Sequence, residues 1–266
     1  MTKFTNSLVI STYNWPEALE LCLKSLLAQT KLPDEVLIAD DGSSLATKDV
    51  VEKYKVLFPV AVHHIWHEDN GFQLAKIRNK AIAAAKGEYV IQIDGDQILH
   101  KKFIQDHLRF AKPCTFVRAS RAYMNKRLSE QLLKNKTTNV SCFNKGLSNV
   151  LSAVHVQFLW PLFEYKYKAK EVIEIHGSNM AFWRADAIRV NGYNETFEGW
   201  GPEDKEFIVR LMHSGIQKRF LKLGAIAFHI YHAESSRNNL SKNEFILQEA
   251  VLTKKKFCES GINQYL

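Results

Sequence analysis

The chain contains no apolar run approaching the roughly 20 residues that a helical membrane span requires. Met1 to Ser7 likewise lacks the apolar stretch of a secretory signal. Cysteine is sparse. Cys22, Cys114, Cys142 and Cys258 are scattered, with no CxxC pair, so neither a zinc knuckle nor a disulfide-stapled scaffold is expected. Internal repeats and low-complexity linkers are missing as well. The expected setting is reducing and cytoplasmic.

What is present is ordinary globular composition, with 46% hydrophobic and 24% charged residues. A length of 266 residues allows one large α/β domain, or one domain with a sizeable second lobe. The formal net charge is +8, which favours anionic partners. Nucleic acid, anionic membrane and phosphorylated substrates all qualify, and charge alone does not choose among them.

Apolar runs and helical periods alternate in the first half. Leu8 to Thr12 reads as a buried strand, and Pro16 suits the first turn of the helix that follows. Leu19, Cys22, Leu23, Leu26 and Leu27 recur on one face of that helix. Glu35 to Ala39, Val60 to Ile65 and Tyr89 to Ile93 read as further strands. Helices are expected at Ala46 to Leu57 and at Leu74 to Lys86, with Gly87 as the stop of the latter. Such alternation predicts a wound, mostly parallel sheet, whose ligands bind beyond the C-terminal strand edges.

Glu88 to Asp96 is the most informative stretch. A short apolar strand runs into Asp94-Gly95-Asp96. Two carboxylates on a rigid strand end suit a divalent cation with oxygen ligands, whose shell a diphosphate can complete. A second acidic strand end stands at Asp40-Asp41-Gly42-Ser43. His63, His64 and His67 do not read as a zinc cluster: alternation points His63 and His64 oppositely, and no cysteine lies nearby.

Beyond residue 118 the pattern changes. Residues 119–175 read as a basic and aromatic insertion, on the acceptor or membrane side. Its lysines either face water or form a patch for anionic lipid, with Lys126, Arg127, Lys134, Lys136 and the Trp160 to Lys168 segment as candidates. Later elements are a helix through Phe207 to Met212 ending near Gly215, a strand at Ala225 to Ile230 and a final helix from Phe245 to Phe257.

Taken together, Ser11 to Pro16, Ala39 to Ser43, Ala75 to Ala81 and Gly87 to Asp96 resemble family 2 of the inverting, nucleotide-sugar-dependent glycosyltransferases. His176 to Met180, Asn191 to Glu195 and Phe197 to Asp204 resemble a galactosyl- and N-acetylgalactosaminyl-transferase C-terminal module, also carried by bacterial chondroitin-type polymerase domains. Pro202 stands where that module usually has a second glycine. The resemblance implies a GT-A fold: α/β, with a mixed, mostly parallel central sheet flanked by helices. Residues 1–118 would then bind nucleotide-sugar, and 176–266 would form the acceptor-binding and catalytic part of the same domain.

It also implies roles. Asp40 would read the uracil edge, with Asp41 as the turn residue. Thr12 and Tyr13 would line the base and ribose pocket, Tyr13 serving equally as plain wall. Arg78 would approach base or diphosphate, or form a salt bridge across the helix–sheet junction. Asp94 would contact ribose or a metal-bound water, and Asp96 would ligate the metal directly with either His229 or His232. Manganese is the expected ion and magnesium the alternative. Asp204 would be the catalytic base. Glu203 would bind sugar hydroxyls, act as a second base or favour a helix start. Trp200 would offer a flat face to a sugar ring or pack in the core, Gly201 would let its loop fold tightly, and Asn179 and Met180 would line the donor-sugar side.

The expected reaction moves galactose or N-acetylgalactosamine from a UDP-sugar to a glycan or lipid-linked glycan. A surface product, capsule or lipopolysaccharide, would place the protein at the inner membrane face. A sugar-binding protein without turnover is the competing reading, and Asp96 with Asp204 speaks against it. Nucleic acid is not an expected partner, since no reading motif accompanies the charge.

Overall fold

The computed structural model describes residues 4–168, 177–233 and 239–266. His176 and residues 169–175 of the expected insertion lie outside the described residues. The chain opens with β1 (Asn6–Thr12), α1 (Pro16–Leu27), β2 (Glu35–Asp40), α2 (Leu45–Leu57), β3 (Ala61–Trp66) and α3 (Leu74–Ala84). It continues through β4 (Tyr89–Asp94), β5 (Gln97–Leu99), α4 (Phe103–Phe110), β6 (Thr115–Ala119), β7 (Arg121–Met124) and α5 (Lys126–Asn135). Then come β8 (Leu147–Ser148), α6 (Trp160–Lys168), β9 (Asn179–Trp183), α7 (Arg184–Arg189) and α8 (Glu203–His213). The last elements are β10 (Gln217–Leu221), β11 (Ala227–His229) and α9 (Leu240–Leu252).

The described residues form a seven-stranded sheet in the order β10-β6-β9-β4-β1-β2-β3. Every pairing is parallel except those of β9, which runs against β4 and β6. Strand alternation sorts the core into two layers. Leu8, Ile10, Val36, Ile38, Tyr89, Ile91 and Ile93 pack with Leu19, Cys22, Leu23 and Leu26 of α1. Val9, Leu37 and Val90 face the other way, onto Ile77 and Ala81 of α3 and Phe207 and Leu211 of α8. With both faces covered, these strands read as unbroken apolar runs rather than as alternating ones.

A second sheet, β5-β11-β7-β8, stands against this frame. Two of its strands, β7 and β8, come from the expected insertion, which is thereby woven between elements far apart in sequence. β7 pairs parallel with β11, about a hundred residues later. Ile98, Ala122, Met124, Ile226 and Phe228 form its own apolar cluster with Ala18 and Leu21 of α1.

Gly87 has a different task from the expected helix stop. α3 ends at Ala84, and Ala85 leaves it in an extended conformation. A Cβ on Gly87 would stand 2.5 Å from the backbone of Asn6 and Ser7. Glu35 closes the same corner, accepting hydrogen bonds from Ser7 Oγ at 2.6 Å and from the backbone of Lys86 and Gly87. Gly87→Ala is therefore expected to cost about 1–3 kcal/mol of stability through overpacking. Denaturant unfolding checks it, and unchanged stability would mean that β1 can yield at this corner.

Candidate active site

Parallel register brings the ends of β1, β2 and β4 to one edge, with Thr12 opposite Asp40 and Ser11 opposite Asp94. A cleft of about 770 Å³ opens there, bounded by that edge, the second sheet and the start of α8.

Arg78 lies at its floor. The apolar face of α3 faces the sheet, so a residue beside Ile77 enters the protein, and Arg78 is only 1% exposed. Its guanidinium donates to Asp204 Oδ1 at 2.7 Å, Asp94 Oδ1 at 3.1 Å and Ser11 Oγ at 3.2 Å. Glu203 Oε1 stands 3.6 Å away, and the Tyr193 ring lies 5.3 Å from the guanidinium carbon. Burial works against the charge on Arg78, but the carboxylates, Asp204 foremost, outweigh it and hold the group firmly protonated.

Asp204 sits in the first turn of α8, where the helix dipole favours a negative charge. Its second oxygen accepts the backbone N–H of Gly177 at 2.9 Å. Any side chain at Gly177 would overlap this carboxylate, so glycine is required for the contact. Glu203 is almost buried and its Oε2 has no partner. Burial, reinforced by the charge of Asp204 and opposed by Arg78, pushes its carboxyl up to about 8. Burial also raises Asp94, against the pull of Arg78. Of the two adjacent carboxylates, Asp204 lies within hydrogen-bond distance of Arg78, whereas Glu203 stands farther off at 3.6 Å.

Asp96 belongs to a separate group. Its Oδ2 lies 3.3 Å from His229 Nε2 and 3.2 Å from His232 Nε2, and its Oδ1 is buried without a partner. One ligand atom from each residue can be chosen so that all lie within 4.8 Å of one another. Burial raises Asp96, but the hydrogen bonds from the two histidines prevail and hold it below the usual carboxylate range. The same bond lifts His232 to about 9. Two imidazoles, a carboxylate and an orphaned buried oxygen fit a divalent transition ion.

The structure brings together most of the expected residues. Thr12, Tyr13, Arg78, Asp94, Asp96, Trp200, Gly201, Glu203, Asp204, His229 and His232 all border the cleft. Tyr13 is half exposed and donates to Asp69 at 2.9 Å. Trp200 is 38% exposed, so its ring is no core residue. His229 and His232 are not alternatives, because both reach Asp96. Asp94 stands outside that group, its carboxylate taken by Arg78.

Three placements differ from expectation. Asp40 is fully buried, accepting from Ser43 N–H and pairing with His64 at 2.8 Å, so it cannot read a base. It is the turn residue, and Asp41 borders the cleft, held by His67 and the N–H of Gln73. Alternation carries this signal in the sequence, since Asp40 shares the face of Val36 and Ile38. Met180 is a core residue with no exposure, packed in the α3–α8 layer. Asn179 spends its amide internally, donating to Ser120 and Ala225 carbonyls and facing His107, so it offers nothing to a donor sugar. Sequence reasoning passed over Ser11, Gly177, Arg121 and Tyr123 and gave Asp41 the turn role. Ser11, Asp41 and Gly177 sat inside recognised motifs.

The Glycosyl transferase family 2 profile matches residues 7–186. The chain belongs to glycosyl transferase family 2. A second profile, N-terminal domain of galactosyltransferase, matches residues 154–233. Chondroitin synthase of Escherichia coli is 28% identical over 239 residues, covering 84% of this chain and 34% of that protein. Validoxylamine A glucosyltransferase of Streptomyces hygroscopicus subsp. limoneus is 27% identical over 223 residues, covering 79% of this chain and 48% of that protein. The chain thus spans a third to a half of these relatives. Staphylococcus aureus TarS 1–349 in complex with UDP superposes with a TM-score of 0.65 at 18% identity, covering 98% of this chain and 68% of that one. Mannosyltransferase PcManGT from Pyrobaculum calidifontis, in complex with GDP-Man and Mn²⁺, gives 0.62 at 20% identity, covering 88% and 59%. These likenesses establish the GT-A fold.

In this family 2 glycosyltransferase, Glu203 makes stability depend on pH. Its folded-state pKa of about 8 exceeds the ordinary 4.5, so the folded protein keeps a proton that the unfolded chain releases. The stabilisation is full below pH 4.5 and lost as pH rises through about 8. Denaturant titrations between about pH 5 and about pH 9 should show this decline, and Glu203→Gln should flatten it. An unchanged slope in the variant would assign the decline to another group.

Proposed function

We propose that this glycosyltransferase transfers a sugar, galactose or N-acetylgalactosamine in first place, from a UDP-sugar to a glycan or lipid-linked glycan, with inversion, in bacterial surface polysaccharide synthesis. The observation that carries the reading is Asp204, fixed by Arg78 and the Gly177 N–H in the same cleft as the Asp96–His229–His232 group.

The acceptor hydroxyl oxygen attacks the anomeric carbon, and the bond from that carbon to the diphosphate oxygen breaks. Asp204 takes the hydroxyl proton as attack proceeds, because an alcohol is too weak an acid to lose it beforehand. Arg78 and Gly177 hold the carboxylate against rotation, so little reorganisation remains at the moment of reaction. Glu203, neutral at pH 7, can donate a hydrogen bond to a sugar hydroxyl. Trp200 offers an apolar face to a sugar ring, and Thr12, Tyr13 and Asp41 wall the nucleotide side. Asp96, His229 and His232 would hold a divalent cation, Mn²⁺ before Mg²⁺, which would neutralise the departing diphosphate.

Titration calorimetry of UDP, with and without Mn²⁺, tests the reading. Binding should require the ion, and Asp96→Ala should weaken it by at least about tenfold. Asp204→Asn should keep UDP binding while lowering turnover by about 100- to 10,000-fold. Absent UDP binding in the wild type would overturn the UDP-sugar assignment.

A lipid-linked acceptor implies attachment at a membrane face. No helix among the described residues is long and apolar enough to cross a membrane. Lys126, Arg127 and Lys134 of α5 and the following Lys136 are all exposed, although Lys136 also meets Glu20. Cosedimentation with anionic phospholipid vesicles should fall on neutralising the four, each being worth about 1 kcal/mol near such a surface. Unchanged cosedimentation would overturn the attachment.

A further inference from the structure

A second cavity, of about 720 Å³, lies beside the donor cleft. Arg121, Tyr123 and Ser178 border both spaces. Ser178 directly follows Gly177, whose N–H holds Asp204, so this shared wall adjoins the reacting carboxylate.

Its chemistry is one-sided. Lys222, Arg121 and Arg118 face it, and none of its described lining residues is Asp or Glu. Lys222 donates to Ser152 Oγ at 2.7 Å, and Arg121 donates to the Tyr123 hydroxyl at 2.9 Å. Both bonds leave the cation paired with a neutral group. Ser120 and Ser178 belong to the cavity wall, but each residue is 4% exposed and its hydroxyl is buried, out of reach of a bound molecule. Three cationic side chains on a wall without a carboxylate point to an oxyanion. Burial and the neighbouring charge of Arg118 both lower the pKa of Lys222, a strain that an anion would relieve.

We propose that this cavity is an acceptor subsite for an oxyanion, a sugar carboxylate or a phosphodiester, held by Lys222 and Arg121. On the reading above, a diphosphate would be met at the Asp96–His229–His232 group by the cation these residues would hold, which leaves this cavity to the molecule that receives the sugar. The subsite rests on the donor–acceptor reading above and extends it to the substrate class: an anionic glycan or a phosphate-linked polymer.

Ligand-observed NMR with methyl β-glucuronide, glycerol 1-phosphate and neutral methyl β-glucoside tests it, in the presence of UDP and Mn²⁺. At least one anionic probe should bind the wild type and the glucoside should not. Lys222→Ala should weaken that binding about tenfold, and Lys222→Arg should restore it. UDP affinity should be unchanged in both variants, which also shows that they are folded. Which anion binds identifies carboxylate or phosphate as the natural group. No anionic binding, or equal binding by Lys222→Ala, overturns the subsite. Loss of UDP binding by the wild type would instead overturn the donor reading and the acceptor assignment with it, so the two failures are distinguishable.

Discussion

A single buried guanidinium organises this protein. Arg78 cannot shed its charge, and isolated in a low-dielectric interior it would be costly. Three carboxylates from distant parts of the chain answer it: Asp94 from a strand end, and Glu203 and Asp204 from a helix start. Each would be costly alone, and together they are supportable. The cluster ties α3, β4 and α8 at one point, so the charges that chemistry needs are the charges that folding needs. Removing one partner of such a buried set typically costs about 3–5 kcal/mol, because the others are left uncompensated.

The second sheet supplies what this cluster lacks. It carries His229 at the end of β11 and places Tyr123 5.5 Å from that ring. Asp96 joins the two parts, since it directly follows the Asp94-Gly95 strand end while its carbonyl accepts the N–H of Ile230. The carboxylate cluster around Arg78 and the Asp96–His229–His232 group therefore rest on different elements that meet at one short turn.

The central sheet was largely legible because its strands are buried on both faces and read as unbroken apolar runs. α1 was legible from its period and from Pro16. Of the second sheet only β11 was legible, within the strand expected at Ala225 to Ile230; its other strands, of two to four residues, carry no pattern of their own and exist through partners far along the chain. The salt bridge of Arg78 across the helix–sheet junction was one of its expected roles and is seen with Asp94, but distance hid its partner Asp204, 126 positions away. Motif adjacency misled at Asn179 and Met180: a residue beside a functional loop still turns into the core if strand alternation sends it there. Asp40 and Asp41 exchanged roles for that reason too. That these carboxylates and histidines share one cleft was legible because polar residues at strand and helix ends have few structural reasons to cluster.

Asn79 follows Arg78 on α3 and is locked in its own way. Its amide accepts from the N–H of Tyr193 and donates to the carbonyl of Tyr193 and to Glu195. Neighbouring residues on a helix point about 100° apart, so the two side chains pin α3 against rotation about its axis. The helix is keyed like a shaft, with one tooth in the buried carboxylate cluster and one in the 191–195 turn. Wear on the second tooth would reach the first as a change of angle, not of distance. The cleft walls can therefore change in sequence while the 191–195 turn is held by a mechanical duty of its own.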